Sequence, residues 1–297
     1  MTRFTLWIGL LGLESAVALG AQPPPPAGNM EKRPVCGPES AGQWGAAEST
    51  VRTSTAHTQT ASAALHWHVT VDHFAGEAQY PIGWPRAHFT LREPAARDWS
   101  DWDFLLLRVY TDTNREGLPS EPVGLALYTP DKSSAFTRPL SELQKGQWVE
   151  IRIPLAQVPR RHDVRLMQIH IAEAKYRHQD RLDFYFDEIA LLRYAEPTLA
   201  DFAAESAVMF ADARFVPVQF QLLGVRPGAS VEIACDLRRD GRVAAQATVR
   251  GTRGPQRVVL DVGRQPPASG MYELTACVAG GRESAKAPLR LVESPWK

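Results

Sequence analysis

His66 and His68 stand two apart in a segment, Leu65 to Asp72, that alternates apolar and polar residues. On a strand, positions i and i+2 share a face. The two imidazoles could therefore chelate a metal ion with a third ligand, for which His73, His88, His170 and His178 have the right chemistry. No H-E-x-x-H helix and no paired-Cys motif accompanies them, and paired histidines on a strand also occur as plain surface residues. The sequence has no G-x-S-x-G elbow, no Walker loop and no dinucleotide-binding fingerprint. Glu150, Glu173 and Asp183 could supply the two carboxylates of a glycosidase, a mechanism decided by their separation in space. Tyr185, His170 and Arg152 have the residue types of a β-jelly-roll polysaccharide lyase, with a base and charge neutralisers.

Taking the alternation literally yields a broader polar face. Arg108 and Tyr110 fall on one strand and Tyr128 on the next. Glu150 and Arg152 follow, then Gln168 and His170, then Tyr185. His66, His68, Thr70 and His88 join from the early strands. If these strands share one sheet, the face combines aromatic rings, guanidinium groups and amides. Rings stack on the apolar side of a pyranose, while charged and amide groups bond its hydroxyls. Arginines also suit uronate or sulfate groups. Trp84 stands in a loop stiffened by Pro81, Gly83 and Pro85, which lowers the entropy cost of binding. The other reading is a solvated face of an antiparallel sheet, or one covered by a neighbouring segment.

The elements that must position these residues are short strands. Ala87 to Arg92, Phe104 to Tyr110, Val123 to Tyr128, Trp148 to Pro154, Leu166 to Ala172 and Leu182 to Leu192 follow the first strand, with turn residues between them. Period-two alternation at these lengths predicts strands. After Ala195-Glu196-Pro197, a second series runs from Val216 to Val292, with an Asp240-Gly241 hairpin step. The expected fold class is all-β: a jelly-roll sandwich over residues 64–196, then a smaller immunoglobulin-like sandwich over 197–297. The phase of the second series turns Cys235 inward and Cys277 outward; a bridge between them needs one phase to be wrong.

Three patterns carry a family resemblance. Asp98-Trp99-Ser100-Asp101-Trp102-Asp103 leads into a central strand. Lys145-Gly146-Gln147-Trp148 runs into Ile151-Arg152-Ile153-Pro154-Leu155. Phe184-Tyr185-Phe186-Asp187-Glu188-Ile189 ends the series. Together they resemble the galactose-binding-like jelly rolls that serve as carbohydrate-binding modules, over roughly residues 65–195. The resemblance implies a sandwich fold and a glycan ligand, and it places Asp187 where related modules hold a structural calcium, with Asp72 and Glu77 as helpers. Fold alone does not fix function. Likewise Ser269-Gly270-Met271-Tyr272 resembles the start of strand F in immunoglobulin and fibronectin-type domains, with Tyr272 in the corner-tyrosine place.

Residues 1–21 read as a secretory signal, with Arg3, an apolar run from Phe4 to Leu13, and small residues after it. That run is too short for a stable membrane span. Residues 22–63, with Pro23 to Pro26 and then Ser, Thr, Ala and Gly, read as a loosely ordered segment. The 33 basic and 33 acidic residues balance, which argues against nucleic acid as a partner. The sequence thus points to an exported protein that binds a polysaccharide or oligosaccharide. A structural or adhesion protein that docks another envelope protein is the first alternative, and a lyase or hydrolase the second.

Overall fold

The computed structural model describes residues 29–75, 83–130, 136–263, 267–279 and 284–296. The chain is all-β and builds two sandwiches in sequence. The first uses β1 (Met30–Cys36), β2 (Trp44–Ala47), β3 (Thr50–Ser54), β4 (Ala64–Thr70), β5 (Arg86–Thr90), β6 (Phe104–Thr113), β7 (Gly124–Tyr128), β8 (Phe136–Pro139), β9 (Trp148–Pro154), β10 (Leu166–His170) and β11 (Arg181–Tyr194). One sheet runs β3-β4-β11-β6-β9, with β1 paired along the later half of β11. The facing sheet runs β2-β5-β10-β7-β8.

The alternating residues fill the space between these sheets. Leu65, Trp67 and Val69 of β4 pack with Leu105, Leu107 and Val109 of β6, and Met167 and Ile169 of β10 face them. Each such side chain contributes about 1.5–3 kcal/mol over its exposed state. A one-residue slip would turn a whole row outward, so the register is fixed. In β11 the inward row is Leu182, Phe184 and Phe186, then Ile189 and Leu191. The change of phase is a β-bulge between Phe186 and Glu188, which makes room for Asp187.

The N-terminal segment departs from expectation. Residues 30–54 are not loose: β1, β2 and β3 each join a sheet, and Cys36 and Trp44 enter the core. Backbone pairing along existing strands supplies the order that the sparse apolar residues do not.

The second sandwich has its own core. It contains β12 (Thr198–Ala204), β13 (Val208–Phe210), β14 (Phe215–Leu223), β15 (Val231–Arg239), β16 (Arg242–Gly251), β17 (Gly254–Asp261), β18 (Gly270–Val278) and β19 (Ser284–Val292). Its sheets are β12-β14-β17 and β13-β19-β18-β15-β16, the β13–β19 pair being parallel. Cys235 points inward and Cys277 outward, as the alternation requires, and no disulfide joins them. The Tyr272 hydroxyl donates to the Ala268 carbonyl at 2.9 Å.

The Trp-rich turn before β6 is structural. Trp99 is fully buried and its indole N–H donates to the Ala96 carbonyl. The guanidinium groups of Arg33 and Arg193 lie 5.2 and 5.0 Å from the centre of the Trp102 ring. Asp103 and Arg253 join the two sandwiches through a buried ion pair.

Candidate functional site

The strands that should carry one polar face belong to two sheets, so the predicted site divides between opposite faces of the first sandwich. Arg108, Tyr110, Arg152 and Tyr185 lie on the β3-β4-β11-β6-β9 sheet. Tyr128, Gln168 and His170 lie on the other, with Trp84 beside His170. Sequence alternation assigns a residue to a face of its strand but not a strand to its sheet.

The face built on β5, β10 and β7 is shaped by small residues. Gly45 pairs with His88, and Gly124 with His170. A Cβ at either glycine would collide with the opposing imidazole, so both rings lie across the neighbouring backbone. Gln168 sits between His88 and Ala126. Tyr128 is further along, opposite Leu166. Trp84 leads into β5 and is 38% exposed. The Arg86 guanidinium lies 5.1 Å from the centre of its ring, and His170 meets it in a T-shaped contact at 5.6 Å. Burial holds the His170 imidazole below its ordinary pKa, so it is neutral at neutral pH. Beside it opens a cleft of about 230 Å³ that includes Glu121, Thr137, Arg138 and Lys175. Lys175 pairs with Glu121 at 2.5 Å, and Arg138 pairs with Glu142.

On the opposite face the charges satisfy one another. Arg108 donates through Nε and Nη2 to Glu150 at 3.1 and 2.9 Å, and Arg152 Nε reaches the other Glu150 oxygen at 2.8 Å. Desolvation pushes the Glu150 carboxyl up, but bonds from the two arginines outweigh it and hold it low. Tyr110 is stacked under His57 at 4.1 Å, and Tyr185 is stacked on His66 at 4.3 Å. Burial, followed by nearby Asp183 and Asp112, pushes the Tyr185 phenol up. A lyase base needs the reverse. His170 is also on the other face, so Tyr185, His170 and Arg152 do not form the expected lyase constellation.

The expected calcium cage does not assemble either. Asp187 accepts the N–H groups of Gln59 (3.1 Å), Thr60 (3.0 Å) and Ala61 (3.3 Å), and the Thr60 hydroxyl. Its carboxylate latches the 55–63 loop to the bulge in β11. Asp72 follows the end of β4, beyond the Thr70–Arg181 pair, whereas Asp187 lies near the Leu65–Phe186 pair. At about 3.3 Å per residue the two are on the order of 20 Å apart along the strands. Asp72 instead accepts the Phe74 N–H at 3.0 Å. Glu77 is outside the described residues.

A tighter group gathers around His66 and His68. Its third member is Asp183, set aside in the sequence as half of a carboxylate pair. The β4–β11 register places Asp183 opposite His68 and Tyr185 opposite His66. Asp183 Oδ1 lies 2.6 Å from His66 Nε2 and 2.8 Å from His68 Nδ1. Desolvation raises the Asp183 carboxyl, but its bonds to the two imidazoles outweigh that and hold it low. Arg52 Nε donates to His66 Nδ1 at 3.0 Å. His57 and Arg52 are the residues that sequence reasoning missed here, and Asp183 was named only as a carboxylate, not as a partner of the histidines. Only the shared parity of Asp183 and Tyr185 on β11 hinted at it.

The fold and its faces define an all-β protein of two sandwiches whose first sandwich presents two distinct polar surfaces. By sequence, the chain matches no protein-family model and no curated protein. Among solved structures it is similar to a glycosyl hydrolase family 2 member from Bacteroides cellulosilyticus, with a TM-score of 0.28 and 9% identity over 70% of this chain and 26% of that one. Similar too are the glycoside hydrolase domain of Endo-D from Streptococcus pneumoniae (TM-score 0.29, 11% identity, 83% and 37%) and a Ruminococcus gnavus beta-glucuronidase in complex with uronic isofagomine (0.24, 9%, 75% and 37%). The chain spans between a quarter and two-fifths of the length of these structures. A likeness this loose carries no argument about chemistry. Among the described residues no helix is long and apolar enough to cross a membrane.

Proposed function

We propose that this chain is an exported carbohydrate-binding protein that takes a glycan on the outer face of β5, β10 and β7. One observation carries the reading. Trp84 keeps an accessible ring while Arg86 and His170 hold it in place. A pre-set aromatic ring binds a pyranose face with little loss of freedom. The adjoining cleft supplies hydroxyl partners in Thr137, Arg138 and the Lys175–Glu121 pair. Its charges are already paired, which favours neutral sugars over uronates. Export rests on the leader-like residues 1–21, outside the described part of the chain. The Tyr272–Ala268 bond supports reading the second sandwich as an immunoglobulin-type spacer.

The test is thermal stability and tryptophan fluorescence of the full chain against a panel of neutral and acidic oligosaccharides. A rise in melting temperature with one neutral sugar class, lost in Trp84→Ala, is the expected result. No shift with any sugar at millimolar concentration would sink the reading and favour a structural protein that docks an envelope partner.

A further inference from the structure

The geometry points to a divalent transition-metal site at His66, His68 and Asp183, which we propose binds Zn²⁺ or an ion of similar preference. It is on the sheet opposite Trp84 and is independent of the glycan reading.

Two adjacent strands bring the donors together. His66 and His68 share the outer face of β4, and Asp183 is their neighbour on β11. One nitrogen from each ring and one carboxylate oxygen lie within 4.8 Å of one another. Zinc bonds imidazole nitrogen and carboxylate oxygen at about 2.0–2.2 Å, so its ligand atoms stand about 3.3 Å apart. Opening the present 2.6 and 2.8 Å contacts by about 0.5–0.7 Å would bring both pairs to that spacing. Two imidazoles and one carboxylate leave further coordination positions open, the pattern of ion sites that keep water or a substrate.

A second observation calls for positive charge at the same place. Asp112 of β6 stands directly opposite Asp183. Like charges facing across strands are destabilising. A bound cation would relieve that repulsion. The surroundings also restrict ring motion. His66 is stacked on Tyr185 with the planes 4° apart. Only 2% of the His66 side chain is accessible.

Arg52 opposes the ion. Its Nε–H donates to His66 Nδ1, which leaves the ring proton on Nε2, directed at Asp183. A metal ion must displace that proton. The proton then belongs on Nδ1, where metal-bound histidines carry the N–H that they donate to a carboxylate or carbonyl. Arg52 cannot accept it. A glutamine at position 52 could, through its amide oxygen. Arg52 therefore weakens the site without being a ligand, and the site is one that an ion enters as Arg52 turns away.

The experiment is calorimetric titration of the untagged, chelator-treated full chain with Zn²⁺. The melting temperature of each variant in metal-free buffer checks its fold. One ion per chain at micromolar affinity or tighter is expected. His68→Ala and Asp183→Asn, both at partly exposed positions, should weaken it at least tenfold. Arg52→Gln should strengthen it about tenfold, in line with outer-shell effects. Co²⁺ in place of Zn²⁺ should give visible ligand-field absorption that His68→Ala abolishes. No uptake at micromolar Zn²⁺ would overturn the proposal. So would uptake that survives His68→Ala and Asp183→Asn but is lost in His178→Ala, since the ion would then lie near the His73–His178 pair.

Discussion

Arg253 reaches out of the second sandwich and closes on Asp103 in the first. Its Nη2 and Nε lie 2.6 and 3.0 Å from the same carboxylate oxygen. The other oxygen accepts the N–H groups of Tyr194 at 3.0 Å and Gly224 at 3.1 Å. Arg253 also donates to the carbonyls of Ser100 and Asp101. The Asp103 side chain is fully buried and that of Arg253 nearly so. Breaking such a pair on one side leaves a buried charge, which costs about 3–5 kcal/mol. Asp103→Ala should therefore destabilise the chain by that amount in denaturant titration. The double change Asp103→Leu with Arg253→Met should recover only part of the loss, because the Tyr194 and Gly224 N–H groups still lose their acceptor. A single-variant cost below about 1 kcal/mol would mean that water already reaches the pair.

The latch at Asp187 should show in the acid limb of stability. Desolvation raises this carboxyl, but bonds from the Thr60 hydroxyl and the N–H groups of Gln59, Ala61 and Thr60 outweigh it and hold it below the usual aspartate value. Its contribution is therefore complete above the unfolded pKa of about 3.9 and is lost as pH falls through the lower folded value. Asp187→Asn should lower stability at neutral pH by about 1–3 kcal/mol. The gap between variant and parent should close toward about pH 2. Faster amide exchange at Gln59 to Ala61 would locate the effect. A gap that stays constant with pH would show that the charge does not hold the loop.

Alkylation should separate the three cysteines. Cys277 is exposed, while Cys36 and Cys235 are buried. Burial pushes the Cys235 thiol up to about 11, and burial with nearby Glu39 pushes Cys36 up as well. The thiolate is the reactive form. Mass spectrometry after iodoacetamide at about pH 8 should find one adduct on the folded chain, at Cys277, and three after unfolding. Prompt labelling of Cys235 in the folded chain would contradict its inward phase.

Tyr272→Phe deletes only the hydroxyl that bonds the Ala268 carbonyl. The expected loss is about 0.5–1.5 kcal/mol, read as a lower melting temperature, with the first sandwich unchanged. An unshifted transition would show that the corner bond is matched by water.

Much of this fold is legible in the residues. The row Phe184, Phe186, then Ile189 and Leu191 breaks phase at two consecutive acids, Asp187 and Glu188, and the bulge lies there. The inward phase of Cys235 and the outward phase of Cys277 are equally plain in Val231 to Leu237 and Tyr272 to Val278. β3 was hidden because its five residues hold one aliphatic side chain, Val51, and its order comes from backbone bonds to β4. The candidate sites were less legible. That Asp183 meets His68, and that Tyr128 and Tyr110 part company, depends on which strands pair. Pairing is a long-range outcome that local alternation does not encode.

The first sandwich also has an unusual load path. Met30 pairs with Tyr194, and the Ala195 N–H bonds the Asn29 carbonyl at 2.9 Å, so the chain enters and leaves this sandwich at adjacent points. Tension applied between Asn29 and the second sandwich would pull on the open end of the antiparallel β1–β11 ladder. The ladder bonds would then yield one after another rather than all at once. Under such a pull the β1 strand should peel away at low force while the sheet β4-β11-β6-β9 stays intact, and the sandwich would lengthen in steps before it ruptured.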